Sequence, residues 1–236
     1  MDVPYDRQTY NNPNPFARFA HRTRLRRSQV IVEECLRDLA AAVLVDFGCG
    51  QGRFLHELWV GFRRSRKGGV RLLGYDPYME SKFEEYQVVS DLAAIPDGGV
   101  DVITCLEVCE HLDESEFRAF LDFVRVKLRL GGWLLVTVPI MCGPVVLLKE
   151  LSRMVLFRRW SDTSPRELWY AAVKRIAPAR AANIKTSHRG YDWRITLEVL
   201  KAELELERID FSPIPSIGWQ WNSQALMLLR KHRSEV

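Results

Sequence analysis

The chain has 236 residues, of which 47% are hydrophobic and 27% are charged, and this composition is typical of an ordinary soluble protein with one well-filled core. The formal net charge is only +4, so no dominating basic field indicates nucleic acid, which is permitted as a partner but not favoured. The uncharged, apolar run over residues 133–148 is too short and too interrupted by proline and glycine to span a bilayer.

The cysteines indicate the redox compartment. There are five of them, an odd number, and none forms a C-x-x-C pair. This usage predicts small buried thiols in a reducing cytoplasm rather than disulfides. No N-terminal signal peptide is expected, because the first dozen residues are polar and contain Asn and Pro.

Helix and strand patterns alternate along the chain, as a mostly parallel α/β sheet requires. We expect residues 1–40 to form an N-terminal helical cap, 41–142 the core, 143–186 a helical insertion or lid, and 187–236 the closing strands. Helices are predicted at about residues 16–39, 53–62 and 115–130. Strands are predicted at residues 43–46, 71–76, 87–90, 100–105, 133–138, 204–211 and 225–229.

The most informative stretch is the first strand and the turn that follows it. Three apolar residues lead into Asp46, and glycines follow at positions 48, 50 and 52, before a helix that begins near Arg53. Such a turn exposes bare backbone and free N–H groups to a nucleotide-like ligand. An ordinary tight strand-to-helix turn is the alternative.

Two details of this stretch indicate which ligand binds. A dinucleotide fingerprint would need a third small residue at position 53, which is Arg53. The acid Asp46 would repel a pyrophosphate, but it would attract a ligand with ammonium and sulfonium groups, as S-adenosylmethionine has. The run from Asp46 to Gly52 resembles the first motif of the class I S-adenosylmethionine-dependent methyltransferases, an acid followed by G-x-G-x-G.

This resemblance implies a doubly wound, Rossmann-like sheet of seven strands, mostly parallel with an antiparallel edge strand, in a single methyltransferase domain over residues 1–236. It also implies that Asp76 binds the ribose and Asp91 the adenine amine. The alternatives are a turn aspartate for Asp76 and a helix cap for Asp91. The predicted cofactor-binding residues are Asp46, Gly48, Cys49, Gly50, Gly52, Asp76, Pro77, Asp91, Leu92 and Leu106.

The fourth strand ends in an E-x-x-E-H motif that carries Glu107, Glu110 and His111, and His188 follows much later. The spacing predicts that the first three side chains share one side of a helical turn. With His188, this pattern resembles the ubiquinone-pathway O-methyltransferases and the small-RNA 2′-O-methyltransferases. The resemblance implies that all four residues bind a divalent cation, Mg or similar. Without a metal, His111 or His188 is a candidate catalytic base.

The expected reaction is methyl transfer to a hydroxyl oxygen of a small or lipid-linked acceptor. RNA 2′-O-methylation, an NAD-binding oxidoreductase and a cofactor-binding module without turnover are the alternatives. Residues 145–160 are very apolar with basic residues near their end, which is typical of a helix on a membrane surface or over a lipid-like acceptor. A lid helix buried against the core is the favoured alternative.

Overall fold

One sheet organises the protein. The computed structural model describes residues 14–65, 69–79, 82–157 and 163–232. The strands in these ranges have the order β3-β2-β1-β4-β5-β7-β6, in which β7 is antiparallel to both of its neighbours and the other pairs are parallel. The strands are β1 (Ala42–Phe47), β2 (Val70–Tyr75), β3 (Gln87–Val89), β4 (Val100–Leu106), β5 (Leu128–Pro139), β6 (Glu205–Ser212) and β7 (Gln224–Arg230).

Helices cover both faces of this sheet. The α-helices are α1 (Pro15–Cys35), α2 (Arg53–Arg64), α3 (Glu114–Lys127), α4 (Val145–Phe157), α5 (Pro165–Trp169) and α6 (Trp193–Glu203), and 3-10 turns occur at Leu92–Ala94, Cys109–His111 and Trp219–Trp221. Helix α5 continues into a π-helical turn, Tyr170–Lys174. One buried cluster joins β1 to α1 and α2, and another joins β4 and β5 to α3 and α6.

The predicted doubly wound α/β fold with seven strands is confirmed. Two helices differ from the prediction. Helix α3 was expected to reach Leu130, but Leu128 is already extended and pairs with Val100 of β4. Helix α6 was not predicted within the closing segment, although Asp192 caps it by accepting from the Arg194 N–H. The expected N-terminal cap lies outside the described residues up to position 13. No described helix is long and apolar enough to cross a membrane.

The carboxyl ends of the parallel strands lie at one edge of the sheet. Strand order reverses between β1 and β4, because β2 and β3 follow β1 on one side while β4 and β5 lie on the other. A crevice at such a reversal is where open α/β sheets bind ligands. The loops after these strands therefore hold the candidate site.

Candidate cofactor and active site

The turn between β1 and α2 is the part of the site nearest the centre of the sheet. Gly48, Gly50 and Gly52 have left-handed φ angles of 72°, 55° and 82°, which residues with a side chain rarely adopt. A Cβ on Gly48 would lie 2.5 Å from Cγ2 of Val108, in the loop after β4. The glycine turn is therefore in direct contact with the loop that carries residues 107–111.

Asp76 follows β2 and connects it to the glycine turn. Its Oδ2 accepts a hydrogen bond of 2.9 Å from the Gly50 N–H, and its Oδ1 accepts from the N–H groups of Tyr78 and Met79 at 2.9 and 3.0 Å. Asp76 thus forms the turn contacts that were the alternative to ribose binding. Each carboxylate oxygen retains a further lone pair, so a ribose hydroxyl remains an acceptable partner. Pro77 beside it is exposed.

The remaining predicted cofactor residues lie along the same edge. Asp91 follows β3 and accepts from the Ala93 N–H at 2.9 Å, the capping role that was its alternative. Leu92 begins the 3-10 turn and Leu106 ends β4, and both are half-buried. Cys49 is buried in the glycine turn. The ends of four neighbouring strands therefore bring the predicted cofactor set to one edge of the sheet.

Asp46, the last polar residue of β1, is almost fully enclosed, with 3% of its surface exposed. Its Oδ1 accepts a 2.6 Å hydrogen bond from Oγ1 of Thr104 in the neighbouring strand. Burial raises the pKa of Asp46 to about 7, although the Thr104 hydrogen bond and the Arg24 guanidinium act to lower it. A cation bound beside Asp46 would favour its ionised form.

A carboxylate and two imidazoles meet beyond the end of β4. One ligand atom each from Glu110, His111 and His188 lie within 4.8 Å of one another. The two Nε2 atoms are 3.0 Å apart, and Oε1 of Glu110 is 3.9 Å from His111 Nε2 and 3.8 Å from His188 Nε2. Three of the four predicted metal ligands are thus together, although 77 residues separate the two histidines.

Glu107 lies apart from this group. It was expected on the same side of a helical turn as Glu110, but its φ angle is 60°, and the 3-10 turn begins only at Cys109. This left-handed φ angle takes Glu107 out of the right-handed helical conformation. The Glu107 carboxylate instead accepts from Oγ1 of Thr137 at 3.3 Å. The expected single turn with three aligned side chains is therefore wrong, because the backbone bends at Glu107.

Burial, together with the neighbouring charges, keeps Glu110 and His188 neutral. Glu110 is fully buried, and burial, with the Glu107 carboxylate nearby, raises its pKa well above the usual range. Burial, and then the neighbouring His111, lowers the pKa of His188 to about 3. In the absence of a cation, the group therefore consists of a carboxylic acid and a neutral imidazole beside His111.

Segment 180–190 reaches this loop through several contacts. His111 Nδ1 lies 3.0 Å from the Ile184 carbonyl oxygen, which can only accept, so this nitrogen carries the proton. The Arg180 guanidinium donates to the carbonyl oxygen of Glu110 and, at 3.2 Å, to that of Arg189. These bonds hold His188 beside the end of β4.

Basic side chains from α1 and α4 complete the region, and the sequence patterns did not identify Arg24 or Lys149 as site residues. Arg24 donates to Thr137 Oγ1 at 3.2 Å and so joins Glu107 through that hydroxyl. Lys149 donates to the carbonyl oxygens of Ile140 and Ser223 at 2.8 and 3.2 Å. His21 of α1 lies half-buried in the same region. Burial, and then Arg24, lowers the His21 pKa to about 4.

Comparison with known proteins decides the family. A family model described as a methyltransferase domain matches residues 18–185. The chain belongs to this methyltransferase family. Together with its class I fold, this membership makes the protein an S-adenosylmethionine-dependent methyltransferase and favours methyl transfer over the oxidoreductase alternative. No curated protein sequence matches the methyltransferase significantly.

Solved structures share the fold of the methyltransferase at low sequence identity. A Pyrococcus horikoshii OT3 protein is 13% identical with a TM-score of 0.59, and the match covers 97% of this chain and 96% of that one. The 1,6-didemethyltoxoflavin-N1-methyltransferase of Burkholderia thailandensis, solved with that compound and S-adenosylhomocysteine, is 16% identical with a TM-score of 0.56, covering 89% of this chain and 78% of that one. The N-methyltransferase NodS of Bradyrhizobium japonicum WM9 is 14% identical with a TM-score of 0.50, covering 90% and 98%.

The glycine turn of the methyltransferase suits a nucleoside ligand. Among the described residues, a Cβ on Gly50 would meet only Sδ of Met79, at 3.8 Å. Packing within the protein therefore leaves room beside this backbone. The buried acid Asp46 lies four residues before Gly50, and a sulfonium or an ammonium bound beside it would be attracted to its ionised form.

Proposed function

We propose that the enzyme transfers the methyl group of S-adenosylmethionine to a hydroxyl oxygen of a small or lipid-linked acceptor, and that Glu110, His111 and His188 bind a divalent cation beside that acceptor. One observation supports this proposal above the others. Both carboxylate oxygens of Glu110 are buried and have no hydrogen-bond partner among the described residues. An unpartnered buried carboxyl is costly, and a cation would satisfy it.

The donor set fits a divalent metal ion. His111 holds its proton on Nδ1, which leaves the lone pair of Nε2 directed towards His188 and Glu110. The depressed pKa of His188 keeps that imidazole neutral, and therefore able to ligate, at neutral pH. Two imidazoles and one carboxylate suit Mn, Fe or Zn at least as well as Mg. A bound cation would return Glu110 to its ionised form.

The residues around the cluster define how an acceptor would be held. When bound, the cation would lower the pKa of a coordinated acceptor hydroxyl. His111 is oriented by the Ile184 carbonyl, and Arg180 fixes the segment that carries His188. Val108 packs against Gly48, so the loop with these ligands adjoins the cofactor turn. This proximity supports direct transfer between a bound cofactor and an acceptor at the cluster.

The acceptor is proposed as a small molecule by analogy. The Burkholderia enzyme of the same fold holds a small heterocyclic compound, and its name and that of NodS specify nitrogen as the methylated atom. The proposal of oxygen as the methylated atom in this enzyme therefore rests on the cluster of Glu110, His111 and His188 and not on the fold. A cytoplasmic location is part of the proposal, because all five cysteines are free thiols, which a reducing compartment preserves.

Calorimetric titration with Mg, Mn and Zn measures cation binding directly. Release of S-adenosylhomocysteine in the presence of catechols, phenols and sugars tests which of these compounds accepts the methyl group. We expect Glu110→Gln and His188→Ala each to weaken cation binding about tenfold or more. His232→Ala is the matched control, because that imidazole is exposed and remote from the cluster. Chelation should abolish turnover, and added metal should restore it.

Two results would count against this assignment. If turnover survives chelation but is lost in His111→Ala or His188→Ala, the histidines act as proton acceptors. The proposed cation would then have no role in the reaction. Methyl transfer only to amine acceptors would contradict the proposed hydroxyl acceptor, even though cofactor binding stayed intact.

A further inference from the structure

Helix α4 directs apolar side chains outward, where a normal surface helix carries polar ones. At 100° per residue, the exposed side chains that the structure describes in this helix fall within a sector of about 120°, and each of these is apolar. The opposite side of the helix is directed inward and carries Val145, Val146, Lys149 and Glu150. The exposed residues are Leu147 (46% exposed), Leu148 (63%), Leu151 (57%), Met154 (37%) and Val155 (68%).

A second apolar group continues this face. The π-helical turn Tyr170–Lys174 packs against α4, and large side chains before, within and after this turn are exposed. These are Trp169 (50% exposed), Tyr170 (37%), Val173 (56%) and Ile176 (56%). We call the exposed apolar side chains of α4 and residues 169–176 the outer face. Nine large apolar side chains are thus exposed on two segments that pack together, whereas single scattered ones are normal in a soluble protein.

The exposed charges within residues 163–176 have one sign. Among residues 163–176, the exposed charged side chains are Arg166, Lys174 and Arg175. The acid of this stretch, Glu167, is half-buried and bound to Arg189 at 2.7 Å. Lys174 and Arg166 lie over the rings of Trp169 and Tyr170, at 5.8 and 5.7 Å from the ring centroids. Aromatic rings with neighbouring cations are typical of side chains at a bilayer interface.

We propose that the outer face lies on the surface of an anionic phospholipid bilayer, with the leucines of α4 among the acyl chains and Arg166, Lys174 and Arg175 at the head groups. This contact is monotopic, since no described helix could cross a bilayer. The basic fringe favours a negatively charged surface over a neutral one. The interaction is independent of which acceptor the enzyme methylates.

The bilayer contact and the active site share one helix. The inward side of α4 carries Lys149, whose ammonium binds the Ile140 carbonyl just beyond β5. The helix is therefore fixed to the edge of the sheet where the cluster lies. Membrane binding through the outer face would orient that edge relative to the lipid surface.

Vesicle co-sedimentation tests the proposal with the full chain. We expect binding to phosphatidylcholine vesicles that contain 30% phosphatidylglycerol, and at least fivefold weaker binding to phosphatidylcholine alone. Leu148→Asp with Leu151→Asp should reduce binding at least tenfold, and Lys174→Glu should reduce it severalfold. The matched control is Ile195→Asp, since Ile195 of α6 is also apolar and 67% exposed but lies outside the outer face. It should bind like the wild type.

S-adenosylhomocysteine affinity, measured on each variant, separates this inference from the enzymatic one. It should stay unchanged, which also shows that the variants fold. The proposal is overturned if the wild type binds neither vesicle, or if Ile195→Asp weakens binding as much as the leucine pair does. It is also overturned if light scattering reveals a dimer that the leucine pair dissociates, because the outer face would then be an interface between protein copies.

Discussion

Asp46 is a carboxyl group for which ionisation is unfavourable in the free protein. Its pKa of about 7, raised by burial, leaves a large share of the population protonated near neutrality. Between its unfolded pKa of 3.8 and 7, the folded state retains a proton that the unfolded state has lost, so rising pH reduces stability across that window and has no further effect above it. A cationic ligand beside Asp46 would stabilise the ionised carboxylate and so offset this loss of stability.

We therefore predict that S-adenosylmethionine binds more tightly as pH rises from 6 to 8. Below the Asp46 pKa, affinity should change up to about tenfold per pH unit, because the ligand binds the ionised form. Calorimetric titration at several pH values measures this change. The amino group of the ligand also titrates, but it does so equally for every variant, so the comparison with Asp46→Asn isolates the protein group.

Thr104 provides the matched control for this prediction. Its hydroxyl donates to Asp46 and lowers the Asp46 pKa, so Thr104→Val should move the midpoint of the affinity profile to higher pH. Asp46→Asn should flatten the profile. A wild-type profile that matches that of Asp46→Asn would show that Asp46 does not interact with the cofactor cation.

At the scale of elements, segment 180–190 determines whether the cluster forms. It has little regular structure of its own, and its position depends on bonds to the loop after β4. Arg180 is central to this arrangement, because one guanidinium donates to the Glu110 carbonyl oxygen in that loop and to the carbonyl oxygens of Ser187 and Arg189 within the segment. Its stacking on the Tyr191 ring, 5.4 Å from the centroid, adds a further contact.

We predict that Arg180→Ala weakens cation binding about tenfold without removing a ligand, as loss of a partner that orients a metal ligand commonly does. Amide hydrogen exchange in residues 181–191 should become faster. Lys185→Ala is the control from the same segment, because the Lys185–Glu116 ion pair is half-exposed and such pairs contribute little. Equal cation affinity in Arg180→Ala and the wild type would show that the segment is held by other contacts.

The loops after the strands could be located from the sequence, because local residue patterns mark where each strand ends. Asp46, Asp76 and Asp91 each follow an apolar run, and parallel strands bring such ends together. The partner of His111 could not be located in this way. His188 reaches it through a segment held by Arg180, and no local spacing encodes that contact. Lys149 was missed because its helix directs charge inward, against the usual pattern.

At the scale of the whole molecule, the sheet connects the two buried clusters that lie on its opposite faces. Leu134 of β5 packs in the cluster with α3 and α6, whereas the adjacent Leu135 packs in the cluster with α1 and α2. Neighbouring residues of one strand thus belong to different cores, as strand geometry requires. Loss of the sheet would disrupt both clusters, so we expect heat to unfold the described fold in one transition.

A ligand at the strand ends should therefore stabilise the entire molecule. At a concentration of S-adenosylhomocysteine about 100 times its Kd, the added stability is about 2.7 kcal/mol, which corresponds to a Tm increase of roughly 5–10 °C for a chain of this size. Scanning calorimetry measures both the shift and the number of transitions. NAD at the same concentration is the control and should leave Tm unchanged, because Arg53 occupies the position where a dinucleotide turn needs a small residue. A shift with NAD as large as that with S-adenosylhomocysteine would contradict the cofactor assignment, and two separate transitions would contradict the coupling through the sheet.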